Sequence, residues 1–346
     1  MPDPDDTPKV RRATLGDVAR RANVSTSAVS RAFTPGGSVS KTTRQKILKA
    51  AREVGFQPNV LARSLATGRS HMIALVTNAF GNPFINSVID VFTTELQDQR
   101  LLPLTFNLKG NFDWGEAVNL ILQYKVDGVI VASSTVDEVF LERIHDSEIH
   151  LIQAFGRYQG DREIDSVFVD NVGGGAQAAR ELLDRGYRAP GFIGLAPHVS
   201  TSRDRQAGFT EVLEAAGITP RIARAERYAY GQGQACALEL FRTHPELDAV
   251  FCADDLLGLG ALDALRHDLG RDVPETGVIG FNGIEATGWS SHPLATFRAE
   301  ASQVVLNAID MLTERIEAGR RPREHRIVSA RFVERASIRP RPAPDA

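Results

Sequence analysis

The sequence predicts a small all-α domain followed by a longer α/β region of two doubly wound lobes. The chain has 346 residues, which is too long for one typical domain and long enough for two or three folding units. Apolar residues recur at helical spacing near the N-terminus, whereas short apolar runs alternate with amphipathic stretches from His71 onward. The length and these two patterns together predict the fold class.

Composition is typical of a soluble globular protein. Hydrophobic residues make up 42% and charged residues 24% of the chain, and no stretch approaches the roughly 18 apolar residues of a membrane span. Residues 1–8 lack the basic start and apolar run of a secretory signal, so we expect a cytoplasmic protein. Cys236 and Cys252 are too few for a disulfide framework or a four-thiolate zinc site, and we expect both in the core.

The net charge of −3 conceals a strong asymmetry. Residues 9–70 contain 13 Lys and Arg but only two acidic residues, a net charge of +11. Residues 71–346 contain 27 basic and 38 acidic residues, a net charge of −11. A compact basic segment on an acidic body indicates a module that binds a polyanion, with a merely solvated basic face as the alternative.

The basic segment has the pattern of a helix-turn-helix. Thr14 is placed to cap a first helix over 15–22, and a three-residue turn leads to Ser25, which caps a second helix over 26–33. Two short helices joined by such a turn are the motif that reads DNA in the major groove.

A third helix is predicted from Ser40, as its cap, to Val54. Its apolar residues are expected to face inward and its basic residues mostly outward. The inward set is Ile47, Leu48, Ala51 and Val54, and the outward set is Lys41, Arg44, Lys46, Lys49 and Arg52. A short helix is also expected between Pro58 and Gly68, in what is otherwise a linker.

Strand-like apolar runs follow in the acidic part of the chain. They cover residues 72–76, 127–131, 150–152, 167–169, 191–194, 249–252 and 278–281. Their alternation with helical stretches predicts parallel sheets with helices on both faces, and the length suits two such lobes.

The motifs closely resemble the LacI/GalR family of bacterial regulators. The headpiece pattern is Thr14-Leu15-x-Asp17-Val18-Ala19-x-x-Ala22-x-Val24-Ser25-x-x-x-Val29-Ser30-Arg31, followed by Pro58-Asn59-x-x-Ala62-Arg63-x-Leu65. In the longer part, family motifs are matched by Asn82-Pro83-Phe84, Val126-Asp127-Gly128, Val169-Asp170-Asn171, Arg205-x-Ala207-Gly208-Phe209, Ala253-Asp254-Asp255, Gly280-Phe281-Asn282 and Pro293-Leu294-x-Thr296.

This resemblance implies a domain organisation. It comprises a flexible N-terminus (1–12), a DNA-binding headpiece (13–57), a hinge helix with linker (58–70), an effector-binding and dimerisation domain (71–338) and a flexible tail (339–346). The sensor is expected to be periplasmic-binding-protein-like, with the ligand held between two lobes that the chain crosses three times.

The resemblance also assigns DNA contacts. Thr26, Ser27 and Arg31 match the residues that read base edges; the Arg31 fork suits guanine, with a phosphate contact as the alternative. Phosphate contacts are implied for Thr14, Ser25, Ser30 and the basic third helix. Leu65 matches a leucine that opens a base step in the minor groove, the alternative being hinge packing, and further groove-facing hinge positions are Asn59, Ala62 and Arg63.

In the sensor, the resemblance implies Arg205 and Asn282 as polar anchors and Asp254 as a further hydrogen-bonding group. Stacking walls are implied at Phe84, Phe155 and Trp289, which could instead be core aromatics. The chain departs from the family at Asn282, where an aspartate is usual. We therefore expect a net positive pocket corner near Arg205 that tolerates an anionic ligand, unless Asp254 or another acid neutralises the guanidinium.

These observations predict a transcription regulator, most simply a repressor, that binds a pseudo-palindromic operator as a homodimer. The effector is expected to be a sugar, a sugar acid or another sugar derivative, with no cofactor, metal or membrane partner. An enzyme is one alternative, but the run Gly173-Gly174-Gly175 lacks the phosphate-binding patterns. A secreted sugar-binding protein is another, and the basic headpiece argues against it. Repressor versus activator and inducer versus corepressor stay open.

Overall fold

The computed structural model describes residues 13–34, 36–57, 68–108, 114–319 and 322–342. The chain divides into two compact units, Met1–Ser70 and His71–Ala346. The hinge predictions for Asn59, Ala62, Arg63 and Leu65 fall outside the described residues.

The first unit contains three helices with the predicted bounds: α1 (Leu15–Ala22), α2 (Thr26–Phe33) and α3 (Lys41–Val54). The predicted caps are present. The Thr14 hydroxyl accepts a hydrogen bond from the Asp17 backbone N–H, and the Asp17 carboxylate accepts one from the Thr14 backbone N–H, which forms a capping box. Ser25 and Ser40 cap the next two helices with their side chains.

Eight buried residues form the core of this unit. They are Val18, Ala19, Ala22, Val29, Ala32, Ile47, Ala50 and Ala51. The prediction that Leu48 faces inward is wrong, since this side chain is 39% exposed. The buried stripe of α3 runs through Ile47, Ala50 and Ala51 at spacings of three and four residues, and Leu48 lies about 100° away from it.

The expected outward orientation of Arg44 is also corrected, because this residue is half-buried. Its guanidinium donates to the Ala32 carbonyl at 2.5 Å and to the Gly37 carbonyl at 3.0 Å. Arg44 therefore fixes the connection between α2 and α3 instead of facing solvent.

The second unit is built on two six-stranded sheets. The first stretch of chain forms β1 (Met72–Thr77), α4 (Pro83–Asp98), β2 (Leu102–Asn107), α5 (Trp114–Tyr124), β3 (Gly128–Ala132), α6 (Glu138–Asp146), β4 (His150–Ala154) and β5 (Asp165–Val169). The next stretch forms α7 (Asn171–Asp184), β6 (Pro190–Gly194), α8 (Ser200–Ala215), β7 (Arg221–Arg224), α9 (Tyr230–Thr243), β8 (Ala249–Cys252), α10 (Asp255–Asp263), a π-helical turn (Ala264–Asp268), β9 (Gly277–Asn282), a 3₁₀ turn (Glu285–Gly288) and β10 (Ala295–Ala299). The last described elements are α11 (Ala301–Ala318), β11 (His325–Val328) and β12 (Ala330–Val333).

Each sheet defines one lobe, and the chain crosses between the lobes three times. The strand orders are β11-β5-β4-β3-β1-β2 in the first lobe and β12-β10-β9-β8-β6-β7 in the second. The crossings run from β5 to β6, from β10 to β11, and from β11 to β12 through Ser329. The strand pairs are parallel except β10 with β12, which is antiparallel.

A cluster of phenylalanines fills the core of the second lobe. The Phe209 and Phe251 ring centroids lie 5.3 Å apart, and Phe281 stacks on Phe297 at 5.4 Å. Cys236 and Cys252 are buried and free, as expected for core residues. Within the described ranges, no helix is long and apolar enough to cross a membrane.

Candidate functional site

The first candidate surface is α2 of the helix-turn-helix. Thr26, Ser27, Ser30 and Arg31 are all exposed. The Arg31 side chain forms no hydrogen bond or ion pair with any described residue, so its five N–H donors are available to a partner. Thr14 and Ser25 are also exposed, although their hydroxyls serve as helix caps.

Unpaired positive charge surrounds this helix. Asp17 pairs with Arg20, and Glu53 pairs with Arg21 at 2.6 Å, so both acidic residues of the described headpiece are neutralised. Exposed cations for which the described residues provide no ion pair are Arg31, Lys41, Lys46, Lys49 and Arg52. This arrangement suits contact with phosphates.

The second candidate site is a cavity of about 720 Å³ between the two lobes. Residues that follow β1, β3 and β4 line it from the first lobe. Residues of α8, of the loops after β6, β7 and β8, and Asn282 at the end of β9 line it from the second. Carboxyl ends of parallel strands therefore meet at this cavity, as expected for a ligand site in open α/β sheets.

Five of the six predicted effector residues line this cavity. They are Phe84, Phe155, Arg205, Asp254 and Asn282. The sixth, Trp289, is 56% exposed and is not part of the lining, so its assignment as a stacking wall is corrected. The 3₁₀ turn before Trp289 ends in extended backbone at this residue, and the side chain lies at the surface.

Arg205 projects from α8 and is 5% exposed. Its Nε donates to Asn171 Oδ1 at 2.9 Å and its Nη1 to the Ala253 carbonyl, while the guanidinium lies 3.6 Å from the centroid of the Phe281 ring. No carboxylate of the described residues comes within 4.0 Å of it, and Nη2 has no partner among them. Arg205 is thus held rigidly with one donor group left for a ligand.

Asp254 receives hydrogen bonds from both lobes. Its Oδ1 caps α10 by accepting from the Leu256 N–H at 2.8 Å. Its Oδ2 accepts from Asn282 Nδ2 at 2.8 Å in its own lobe and from Asn82 Nδ2 at 3.0 Å in the first lobe. Because a carboxylate only accepts, these contacts also fix the orientation of both amides.

Of the two alternatives for Arg205, neutralisation by Asp254 is therefore favoured over a net positive corner. A carboxylate does stand beside residue 282, but Asp254 supplies it and Asn282 is its hydrogen-bond donor. Burial lowers the pKa of Arg205, and the negative charges of Asp254 and Asp255 oppose that shift. Burial likewise raises the pKa of Asp254, and the hydrogen bonds from Asn82 and Leu256 hold it down.

The aromatic wall of the cavity consists of Phe84 and Phe155. Their rings pack edge to face with centroids 5.4 Å apart, and both are largely buried. Phe155 has φ 62° and Asn282 has φ 116°, which are unusual for residues with a side chain. Such backbone costs on the order of 1–3 kcal/mol per residue and tends to cluster at ligand sites, so it supports a functional role for this cavity.

Sequence reasoning missed several polar residues of the cavity, among them Asn82, Ser134, Thr201 and Tyr228. The Thr201 hydroxyl donates to Ser134 Oγ of the other lobe at 3.0 Å and lies 3.2 Å from the Tyr228 hydroxyl. Ser134 lies two residues after the end of β3, and this position beyond a strand end was the available signal. No group of three or more His, Cys, Asp and Glu in the described ranges could hold a metal ion.

Comparison with known proteins identifies both parts of the chain. Residues 14–59 match the model of bacterial regulatory proteins of the lacI family, and residues 179–338 match the periplasmic binding protein-like domain. The chain therefore combines a DNA-binding domain of the lacI family with a periplasmic binding protein-like domain. It is accordingly a DNA-binding transcription regulator and not an enzyme.

Relatives match this chain over nearly its whole length. The regulator CelR of Thermobifida fusca is 28% identical over 88% of this chain and 92% of its own. The repressor PurR of Yersinia enterocolitica is 28% identical over 94% of this chain and 97% of its own.

Solved structures agree on the fold. A CelR–cellobiose complex has a TM-score of 0.72 at 25% identity and covers 94% of this chain and all of its own. The lac repressor dimer bound to operator and the anti-inducer ONPF has a TM-score of 0.84 at 20% identity, covering 95% of this chain and all of its own. The two-lobed, periplasmic-binding-protein-like fold predicted from the sequence is confirmed.

Proposed function

We propose that this regulator is a repressor that binds a pseudo-palindromic operator as a homodimer and is released or recruited by a small-molecule effector. The effector is a sugar or sugar derivative, and it occupies the cavity between the lobes. The cavity carries this proposal: Arg205 and Asp254, one donor and one acceptor, face a common space of about 720 Å³ next to an aromatic wall.

A sugar fits this chemistry well. Each hydroxyl both donates and accepts, so it can satisfy Arg205 and Asp254 at once, and the apolar face of a sugar ring packs on aromatic side chains. Asn78, Ser133 and Thr135 add amide and hydroxyl groups from the first lobe. CelR, a relative, has been solved with cellobiose, which supports the sugar class.

The proposed DNA site is α2 with its flanking cations. Arg31 pairs with guanine, Thr26 and Ser27 contact neighbouring bases, and Thr14, Ser25, Ser30 and α3 contact phosphates. Asn59, Ala62, Arg63 and Leu65 complete the interface in the minor groove, where two Leu65 side chains from two chains open one base step. A paired wedge and a two-fold operator both require a homodimer.

The DNA half is tested by selecting duplexes from a random pool with the full chain, followed by footprinting. We expect a footprint with two-fold symmetry and an affinity that falls by orders of magnitude between about 50 and 200 mM salt, because several phosphates are neutralised. Arg31→Ala should relax specificity at one base pair per half-site and cost about 1–3 kcal/mol.

Arg221→Ala is the matched control, because it removes an exposed arginine from edge strand β7 of the acidic unit. It should change neither the affinity nor the selected sequence. An asymmetric footprint, or binding that barely responds to salt, would contradict the proposal.

The effector half is tested with a thermal-shift screen of sugars, sugar acids and purines. Arg205→Ala should abolish the shift and the effector response in the DNA assay, while operator binding without effector stays as in the wild type. A purine as the best ligand would replace the sugar class and leave the regulator function standing.

A further inference from the structure

Three donors converge on Asp254, and their placement determines what the cavity offers a ligand. A carboxylate has about four lone-pair directions, two on each oxygen. Asn82 and Asn282 occupy both directions of Oδ2, and the Leu256 N–H occupies one direction of Oδ1. This count leaves one direction of Oδ1 unused, and Asp254 lines the cavity.

Only a carboxylate can make this set of contacts. An amide at position 254 would have a single acceptor oxygen, which the cap of α10 would take. Its NH₂ group would then face the NH₂ groups of Asn82 and Asn282, and the bond between the lobes would be lost. Asn282 and Asn82 are therefore positioning residues for Asp254.

The charges that line the cavity balance. Arg205 and Arg227 are the cations among the described lining residues, and Glu226 and Asp254 are the anions. Asp254 and Arg205 are the two buried members, whereas Glu226 and Arg227 are exposed. A ligand carboxylate near Asp254 would place two negative charges in a site shielded from water, which is costly.

We propose that Asp254 is the specificity-determining carboxylate of the cavity and selects a neutral, hydroxyl-bearing ligand over its carboxylate analogue. The inference rests on the proposed effector function and narrows its ligand class. A ligand hydroxyl donates to the open side of Oδ1, while Asn82 joins the same carboxylate from the first lobe. Recognition of the neutral ligand and contact between the lobes thus use one side chain.

The test is calorimetry of the full chain with matched neutral and acidic probes: glucose and gluconate, ribose and ribonate, cellobiose and cellobionate. We expect at least one pair to bind, with the neutral member tighter. Asp254→Asn should lower the ratio of neutral to acidic affinity by about tenfold or more, because the repulsion of the acid is gone.

Two further variants distinguish an effect of charge on the affinity ratio from an effect on folding. Asp137→Asn makes the same change at another helix cap, where the carboxylate accepts from the Val139 N–H at 2.8 Å, and should leave the ratio unchanged. Asn282→Asp adds a second carboxylate beside Asp254 and should shift the ratio further toward the neutral member, even where it lowers stability. A purely structural role for Asn282 would not move the ratio.

The outcomes are distinct. If the acid binds more tightly to the wild type, or if Asp254→Asn leaves the ratio unchanged, the inference about Asp254 is overturned while the effector function stands. If no probe binds the wild type, the sugar effector itself is overturned and this inference with it. If Asp254→Asn does not fold, the ratio of neutral to acidic affinity measured for Asn282→Asp decides. A decrease of this ratio relative to the wild type contradicts the proposal.

Discussion

At the scale of the residue, the adjacent carboxylates Asp254 and Asp255 at the start of α10 have different roles. Asp254 faces the cavity, whereas Asp255 is fully buried and serves the fold. Asp255 accepts from the Thr296 hydroxyl at 2.5 Å and from the Ile284 N–H at 2.8 Å, which ties α10 to β10 and to the loop after β9. The cavity carboxylate is thus anchored by its neighbour.

The buried Asp255 predicts a pH dependence of stability. Burial raises its pKa from 3.8 to about 7, the Thr296 hydrogen bond opposes this, and the charge of Asp254 adds to it. A raised folded-state pKa means that the native protein binds the proton more tightly than the unfolded chain. The contribution of Asp255 to the free energy of unfolding is therefore fully present below about pH 4, falls as the pH rises toward about 7, and is constant above that.

Urea unfolding of the wild type and Asp255→Asn at several pH values measures this effect. The difference in unfolding free energy, wild type minus variant, should decrease from pH 4 to pH 7 and then level off, since asparagine does not titrate. Thr296→Val removes a donor to the charged form and should move the decrease to higher pH. Parallel profiles for wild type and Asp255→Asn would contradict the shift.

Much of the candidate site at this scale follows from the resemblance, but the side-chain partners do not. Motif positions led to Arg205 in α8, to Asp254 after β8 and to Asn282 at the end of β9, because a family motif fixes which residue stands at each of these places. The Asn282 amide orients toward Asp254 for reasons of three-dimensional contact, which residue 282 alone does not reveal. Trp289 was misassigned for a different reason: the 3₁₀ turn before it decides the direction of its side chain.

At the scale of the element, close helix contacts position the cavity residues. The run at 173–175 that raised the enzyme alternative lies in α7, where it packs against α8. A Cβ at Gly175 would lie 2.0 Å from the Arg205 carbonyl oxygen, and one at Gly208 would lie 2.0 Å from the Val172 carbonyl oxygen. The backbones of α7 and α8 touch at these glycines. This contact determines how closely α8, which carries Arg205, packs against α7.

Gly175→Ala and Gly208→Ala should therefore each destabilise the protein, by about 1–3 kcal/mol or more, because a backbone and not a flexible side chain must shift. Gly231→Ala in α9 is the matched control: its Cβ meets no atom within 4 Å, and alanine favours a helix by up to about 1 kcal/mol. Denaturant unfolding measures all three. Equal stability of the Gly175 and control variants would refute the close-contact explanation.

Elements with a strong periodicity of apolar residues could be predicted from the sequence, and elements with a weak periodicity could not. The three headpiece helices have caps and apolar stripes, and the seven predicted strands are apolar runs that the structure places inside the sheets. The five strands that sequence patterns missed are β2, β7, β10, β11 and β12. Four of them lie at sheet edges, where one side meets solvent and polar residues such as Arg221 and Arg224 are admitted.

At the scale of the whole molecule, the effector unit couples its lobes through three chain crossings and a set of hydrogen bonds around the cavity. Asn82 reaches Asp254, and Ser134 reaches Thr201. Arg157 adds an ion pair on the rim, since its Nη2 donates to Asp204 Oδ2 at 3.0 Å. Asp204 directly precedes Arg205 in α8, so the rim contact and the ligand contact are neighbours on one helix.

Arg157 is therefore expected to act as a latch between the lobes. Its backbone N–H also donates to Ser200 Oγ at 3.2 Å, and its guanidinium lies 5.7 Å from the centroid of the Phe168 ring. Arg157→Ala should weaken binding of the best sugar probe by about two- to fivefold, because the closed arrangement loses an ion pair that is 35% exposed on the arginine side and screened by water. The loss should shrink at higher salt.

Arg162→Ala provides the control, because Arg162 pairs with Asp146 at 3.0 Å inside the first lobe and does not cross the cavity. Calorimetry of both variants at about 50 mM and 500 mM salt separates the two cases. A latch predicts weaker binding only for Arg157→Ala and mainly at low salt. Equal losses for both variants would mean that Arg157 supports the fold of its own lobe and does not hold the lobes together.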